Sequence, residues 1–422
     1  MSDEKEQQAN DEEIVEVDPQ EILDSVSLDL SDEDVKPTGK EKKTNKVESE
    51  IVDVAMKEEK PVMEDEELTK ELYGEFAAFL ENKADIVEDK GTKQTISTGI
   101  DLVDAILGGG FAVGGLNIIV GQPGSGKSML AIQTLGKGQK QYSGKLLGGF
   151  LDSEEATTPL RLSNLGVRYP KLRPYADVTV EKVFKFIEGM CVFKQQKEIV
   201  ETPSVVVWDS IANTLSQKER ETDDPNTVIG YKARLLSILI PKYVAKCAQN
   251  NICFLAVNQL RDVLAMGQFA PPKDLKFMSA TKDMPGGNIL KYNAFQLVEM
   301  KVKTAIAEKG SEKSDNYGFE GIIVTVKCVK NKLFPPNVEV PVVGSFTSGF
   351  SNFWTNYNFL KTTKRLNAGA WNYLVSLPDK KFRTKDAPTL YKEDVGFQKA
   401  FDAATKEAIQ TEIVEKYNPD ID

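Results

Sequence analysis

From about residue 95 onward, short apolar runs alternate with segments of helical character. LNIIV (116–120), KLLGGFLD (145–152), SVVVWD (204–209), ICFLAVN (252–258), FQLVEMKV (295–302) and GIIVTVKCV (321–329) each have the length and apolar content of a buried strand. Stretches such as SMLAIQTL (128–135) favour helix. Apolar strands separated by helices predict an α/β fold, a mostly parallel sheet with helices on both faces. The last two runs are joined by a charged stretch at 304–319 and predict an antiparallel extension of that sheet.

The flanks read differently. Leu68, Leu72, Phe76, Phe79 and Leu80 repeat at helical spacing and predict an N-terminal helix within 67–94. Its apolar stripe can pack on its own domain or on a neighbouring subunit. Residues 1–66 contain no Phe, Tyr or Trp and cannot bury enough apolar surface to offset ordering entropy, so this segment is predicted to be disordered. Phe350, Phe353, Trp354, Tyr357 and Phe359 open a mixed pattern that predicts a small α+β C-terminal domain over 346–422, with a short acidic end at Asp420 and Asp422. The core then spans 95–345.

Charge sharpens the division. The 422-residue chain carries a net charge of −11, yet residues 1–70 hold 24 Asp/Glu against 9 Lys/Arg. The remainder is therefore mildly basic, which leaves nucleic acid open as a partner. The acidic segment can compete with DNA phosphates, solubilise the chain or dock a partner. The chain has no histidine, so His-based triads, His metal sites and His proton shuttles are excluded. A general base must be a carboxylate or, failing that, a Lys, Tyr or Cys. The four cysteines form no CxxC pair, which fits a reduced compartment and buried thiols. No apolar run reaches transmembrane length and the N-terminus is acidic, so a soluble cytoplasmic protein with no membrane partner is expected.

One stretch carries specific chemistry. GQPGSGKS, comprising Gly121, Gln122, Pro123, Gly124, Ser125, Gly126, Lys127 and Ser128, matches GxxxxGK[ST] and sits between an apolar strand and a helix. Glycines let backbone N–H groups face phosphate oxygens, and the helix N-terminus favours the anion. Lys127 can neutralise the β- and γ-phosphates, and Ser128 can ligate Mg²⁺. Asp209 ends the SVVVWD strand and can share that cation with Ser128. Asp152, Glu154 and Glu155 end another strand; any of them can orient or deprotonate water, or simply line a solvated acidic turn.

The ordered segments TISTGIDLVDAILGGG (95–110), the phosphate loop, FLDSEEA (150–156), VVVWDS (205–210), VNQLR (257–261), GGNILKYNA (286–294), VKNK (329–332) and NAGAWNY (367–373) resemble those of RecA recombinases. The resemblance spans roughly residues 67–375. Length, acidic tail and linking sequence are most similar to the phage UvsX-type branch. The resemblance implies a RecA-like P-loop ATPase core that uses ATP and Mg²⁺. It implies filaments on single-stranded DNA, pairing with duplex DNA and strand exchange, with nucleotide between subunits. Glu154 would be the base for water, Asp152 structural and Glu155 a bystander. Gln259 would sense the γ-phosphate. Lys330 and Lys332 would reach the neighbouring subunit's site; a lone KxK is otherwise a solvated strand end. Arg161 would stand where the family usually places an aromatic under the adenine ring.

Two loops are expected to meet DNA. One lies in 216–234, where Lys218 and Arg220 are offset by Glu219, Glu221, Asp223 and Asp224. The other spans 261–287, where Arg261, Lys273, Lys276 and Lys282 alternate with Phe269 and Phe277 before Gly286 and Gly287. Cations can track phosphates while aromatics stack on bases. Single-strand-binding or mediator proteins are further expected partners. The competing readings are a RecA-fold ring helicase-type ATPase and a nucleotide-binding filament or mediator protein without turnover.

Overall fold

Val205 and Val207 enter one apolar layer, while Val206 and Trp208 enter the other. This period of two marks a strand buried on both faces. The computed structural model describes residues 93–168, 177–222, 224–262, 282–306 and 317–417, apart from the side chains of Pro225, Thr227, Arg261, Asp262, Lys282 and Asp283. The acidic segment 1–66 and the apolar stripe from Leu68 to Leu80 lie outside the described residues.

A short antiparallel pair, β1 (Thr95–Ile96) and β2 (Phe111–Ala112), brackets helix α1 (Asp101–Leu107). The main strands are β3 (Gly115–Gly121), β4 (Leu147–Asp152), β5 (Ser204–Asp209), β6 (Ile252–Gln259), β9 (Ala294–Ile306), β10 (Gly321–Lys330), β11 (Glu339–Ser345) and β12 (Gly349–Phe350). Between β6 and β9 lies a small ribbon, β7 (Arg261–Asp262) with β8 (Lys282–Asp283). The main sheet runs β12-β11-β10-β9-β3-β6-β5-β4. From β9 to β4 all neighbours are parallel, whereas β9 to β12 pair antiparallel. The expected mostly parallel sheet with an antiparallel extension is therefore observed. The strand at 339–345 has no counterpart among the runs read from the sequence.

Helices cover both faces. On one side lie α1, α2 (Lys127–Gln141) and α3 (Pro159–Asn164), which contribute Leu102, Ile106, Leu130, Leu135 and Leu162. On the other lie α4 (Val180–Gln196), α6 (Tyr231–Gln249) and α7 (Asn288–Asn293); α5 (Gln217–Glu221) is a single exposed turn. All four cysteines are buried and unpaired. No described helix is long and apolar enough to cross a membrane.

The C-terminal segment is α+β, with α8 (Asn352–Thr362), a three-stranded sheet of β13 (Leu366–Asn367), β14 (Asn372–Leu374) and β15 (Leu377–Phe382), then α9 (Ala387–Glu393) and α10 (Val395–Ile409). Its apolar cluster of Trp354, Tyr357, Phe382, Phe397 and Phe401 includes Val343 and Ile306 from the main sheet.

Gln296, fully buried on β9, ties these layers together. Its amide nitrogen donates to the carbonyls of Leu107 (2.8 Å) and Gly110 (3.1 Å) and to Asn331 Oδ1 (3.3 Å). Its Oε1 accepts from Ala112 N–H at 2.9 Å. Gln296→Leu would strand three buried backbone groups, each worth about 1–3 kcal/mol. We expect a loss of at least roughly 3 kcal/mol in urea unfolding. A loss below roughly 1 kcal/mol would contradict the clamp.

Candidate nucleotide site

Strand β3 is buried along its whole length and delivers Gly121 to the edge of the sheet. A methyl group there would lie 2.4 Å from the Met300 carbonyl oxygen and 2.7 Å from Ser125 Oγ, so only glycine fits. Gly126 (φ 82°) turns the chain into α2, and a methyl on it would strike the Phe350 ring at 2.7 Å. Gly124 faces open space. The loop ends at the first turn of α2, where unpaired N–H groups favour an anion. Lys127 donates to the Gln122 carbonyl at 2.8 Å. Burial lowers its pKa, opposed by the negative charges of Asp209 and Glu154.

Asp152 and Asp209 are register partners at the ends of β4 and β5. Each carboxylate finds different work. Asp152 accepts from the backbone N–H of Glu154 (3.1 Å) and of Thr157 (2.9 Å), so it holds its own turn. Glu154 accepts from Ser210 Oγ at 3.2 Å and from the Asn213 amide. Glu155, at φ 52°, is exposed. Asp209 accepts a hydrogen bond from Ser128. Its pKa is raised to about 6, chiefly by burial; the Ser128 bond opposes this, Glu154 and Asp152 add to it, and Lys127 opposes it.

Trp208 ties this strand end to the core and to the following turn. It stacks on Phe254 with centroids 6.2 Å apart, and its indole N–H donates to Thr214 Oγ1 at 2.7 Å. Thr214 in turn donates to the Ser210 carbonyl at 2.7 Å. Ser153 N–H donates to the Asp209 carbonyl at 2.7 Å, and Ser210 N–H donates to Ser153 Oγ at 3.0 Å. The two strand ends are thus stitched together, and Ser210 and Asn213 are presented to Glu154. Ser210 falls within the VVVWDS segment but is given no role there, and Asn213 lies outside every segment read.

Ser128, Glu154, Thr158, Arg161 and Asp209 line one cavity of about 420 Å³. Arg161 donates through Nη1 to the carbonyls of Phe346 and Thr347, the latter at 3.4 Å. A hydroxyl and a carboxylate already in contact suit Mg²⁺, which takes one or two protein oxygens and keeps water and phosphate oxygens as its other ligands.

Gln259 lies in register with Gly121, and Leu260 N–H donates to the Gly121 carbonyl at 3.3 Å. The β7–β8 ribbon begins two residues later; residues 263–281, between its strands, lie outside the described residues. Phe269, Lys273, Lys276 and Phe277 lie outside the described residues, as do the side chains of Arg261 and Lys282. Gly286 and Gly287, at φ 102° and 81°, lead into α7, and a methyl on Gly286 would meet Leu290 Cδ1 at 2.6 Å. Packing thus accounts for that glycine. In the first loop, Arg220 is ion-paired with Asp177 and Lys218 lies over the Tyr231 ring at 5.0 Å.

Lys330 and Lys332 stand apart from this cluster. Lys330 donates to the carbonyls of Lys291 (2.9 Å) and Tyr292 (2.8 Å) at the end of α7, just before β9 begins. Burial lowers its pKa, and the nearby Lys332 charge adds to the effect. Lys332 lies past the strand and over the Phe295 ring at 5.4 Å, so only Lys330 of the pair is a strand residue. Because Leu116 pairs with Ala294 and Gly121 with Met300, this is the end of the sheet opposite the phosphate loop.

Asp209 supplies a pH test. A carboxyl with a pKa raised to about 6 takes up a proton as pH falls from 7 to 5, and a divalent cation must compete with that proton. At pH 5 about a tenth of the groups remain ionised. Affinity for Mg²⁺–ATP should fall about tenfold more over this range in the wild type than in Asp209→Asn. Equal pH dependence by calorimetry would remove Asp209 from the cation site.

The family description "RecA N-terminal domain" matches residues 82–351. Protein RecA of Borreliella afzelii (strain PKo) is 29% identical over 265 residues, covering 62% of this chain and 65% of that protein. Protein RecA of Rippkaea orientalis is 28% identical over 283 residues, 66% of this chain and 72% of that protein. Protein RecA of Streptococcus thermophilus is 28% identical over 263 residues, 61% and 62% of the two chains. The crystal structure of the RadB recombinase aligns with a TM-score of 0.40 at 18% identity, covering 61% of this chain and 98% of that one. With the matched region taking in the phosphate loop, both strand-end carboxylates, Gln259 and the VKNK turn, the chain belongs to the RecA family.

Proposed function

We propose that this protein is an ATP-dependent DNA recombinase: it forms a filament on single-stranded DNA, pairs it with homologous duplex and exchanges strands. One observation carries the reading. The phosphate loop and the Lys330–Lys332 pair occupy opposite ends of one sheet. A head-to-tail stack of such subunits brings the cations of one to the phosphates of the next. The name Protein RecA borne by the relatives agrees with this reading.

Each residue then has a task. The loop N–H groups and Lys127 bind the triphosphate, and Ser128 and Asp209 hold Mg²⁺. The cation, when bound, neutralises charge on the β- and γ-phosphates. Glu154, kept in place by Ser210 and Asn213, orients water and accepts its proton. Lys330 and Lys332 of the neighbouring subunit stabilise charge on the transferred group, so ATP holds two subunits together until it is hydrolysed. Gln259 lies beside the loop and two residues before the ribbon, and so couples γ-phosphate to the 261–287 segment that contacts DNA together with 216–234.

Lys127→Ala and Glu154→Gln should both reduce steady-state ATP turnover at least about a hundredfold. They should part in assembly: Lys127→Ala loses nucleotide binding, whereas Glu154→Gln retains ATP and accumulates filaments visible by electron microscopy. Wild-type turnover by Glu154→Gln would remove it from the base position.

Action across subunits is tested by mixing. Lys127→Ala protein and Lys330→Ala/Lys332→Ala protein should each be inactive alone. Mixed filaments contain interfaces with an intact loop facing intact lysines, so DNA-stimulated turnover should rise above the sum of the parents. No rise in co-assembled filaments would place the lysines outside the neighbouring site.

A further inference from the structure

A third cation stands at the end of the sheet opposite the phosphate loop, sharing one aromatic ring with Lys332. Lys93 precedes β1, and its Nζ lies over the Phe295 ring, 5.6 Å from the centroid. Lys332 Nζ approaches the same ring to 5.4 Å. Two bare backbone positions make room for this arrangement. A methyl on Gly115 would meet Phe295 Cβ at 2.9 Å, and one on Gly114 (φ 70°) would meet Lys93 Nζ at 3.1 Å. Val113 N–H donates to the Gln94 carbonyl at 2.9 Å and holds the backbone next to Lys93. Phe295 immediately precedes the buried Gln296, whose amide donates to Asn331 Oδ1 at 3.3 Å. Asn331, next to Lys332, donates in turn to the Ile106 carbonyl at 3.1 Å. One glutamine therefore sets both the ring and the turn that carries Lys332.

The negative face of the ring attracts each ammonium group but does not neutralise it. Among the described residues, no carboxylate forms an ion pair with Lys93, Lys330 or Lys332. Partial burial lowers the pKa of Lys93; burial lowers that of Lys330, and the Lys332 charge adds to the effect. Cations gathered at one strand end without a counter-ion repel one another, and a polyanion placed among them relieves that repulsion. We propose that Lys93 joins Lys330 and Lys332 in binding the triphosphate of the neighbouring subunit's nucleotide, and that Phe295 is the positioning residue that aims Lys93 and Lys332. This rests on the cross-subunit reading of the Lys330–Lys332 pair. A triphosphate carries several charges in line, so it can meet cations that come from separate segments of the chain, as Lys93 and Lys332 do.

The test measures DNA-stimulated ATP turnover of the full-length protein. Lys93→Ala should lower it about tenfold. Lys93→Gln, which keeps a stem over the ring without the charge, should lose as much, and Lys93→Arg should keep most of it. Added Lys127→Ala subunits, inactive themselves but carrying an intact Lys93, should restore turnover per Lys93→Ala subunit in co-assembled filaments. Wild-type turnover in Lys93→Ala or in Lys93→Gln would overturn the assignment. A loss that Lys127→Ala subunits do not restore would confine Lys93 to its own subunit and overturn it too. The same mixture made with Lys330→Ala/Lys332→Ala protein separates the two readings. If that mixture also fails to rise, the cross-subunit reading itself fails; if it rises and the Lys93 mixture does not, Lys93 alone is excluded. Phe295→Leu should reduce turnover to the same degree and be restored in the same mixture, while unassembled protein keeps its affinity for a fluorescent ATP analogue. Phe295→Tyr, which keeps the ring face, should retain turnover. Wild-type turnover in Phe295→Leu, or loss of the analogue from its own phosphate loop, would overturn the positioning role.

Discussion

Everything at the site follows from parallel strands that stop together at one edge. A parallel sheet covered by helices on both faces is largely apolar, and its strand ends are where most polar side chains can return. Register then fixes which ends meet. Gly121 faces Gln259, and Asp152 faces Asp209. Slipping either pair by a residue would turn the following side chain to the other face of the sheet and break the constellation. The buried Gln296 clamp adds a second constraint, because it fixes β9 against α1, β2 and the Asn331 turn at once.

Three acids crowd this edge, and the structure gives each a different environment. Asp152 is occupied by backbone N–H groups, Glu154 by Ser210 and Asn213, and Asp209 by Ser128. Burial and the neighbouring carboxylates push the Asp209 pKa up, so a divalent cation placed there would relieve an electrostatic cost that the fold has already imposed. Lys127 faces the complementary condition: burial lowers its pKa while Asp209 and Glu154 raise it. A phosphate would satisfy the same lysine that now donates to the Gln122 carbonyl.

The two ends of the sheet carry opposite chemistry. Acids and the phosphate loop occupy one end, while Lys330 and Lys332 occupy the other, beside the carbonyls that end α7. In the proposed filament this polarity lets nucleotide act as a joint between subunits. The C-terminal segment adds to the nucleotide end, since Phe350 packs beside Gly126 and the Phe346–Thr347 carbonyls hold Arg161. The segment that begins with aromatics therefore holds a lining residue of the cavity in place as well as forming a packing unit.

The sequence by itself determined six of the main strands, their buried character and the phosphate loop, because apolar runs and a glycine-rich turn are local signals. It also excluded histidine as a general base, which left the carboxylates first and Lys, Tyr or Cys after them. Choosing among Asp152, Glu154 and Glu155 was beyond periodicity; the family resemblance named Glu154, and their environments differ in a local turn around Asp152 and a long-range bond from Ser210 to Glu154 that no local pattern encodes. The contacts of Ser210 and Asn213 with Glu154 were likewise invisible, as was the strand Glu339–Ser345, whose proline and short apolar stretch weaken the alternating signal. The tertiary structure alone decided that Lys330 and Lys332 lie away from the loop of their own chain, because only pairing and register reveal which end of a strand a residue occupies. Linear order places these lysines near the end of the matched region; the parallel sheet places them at its far edge.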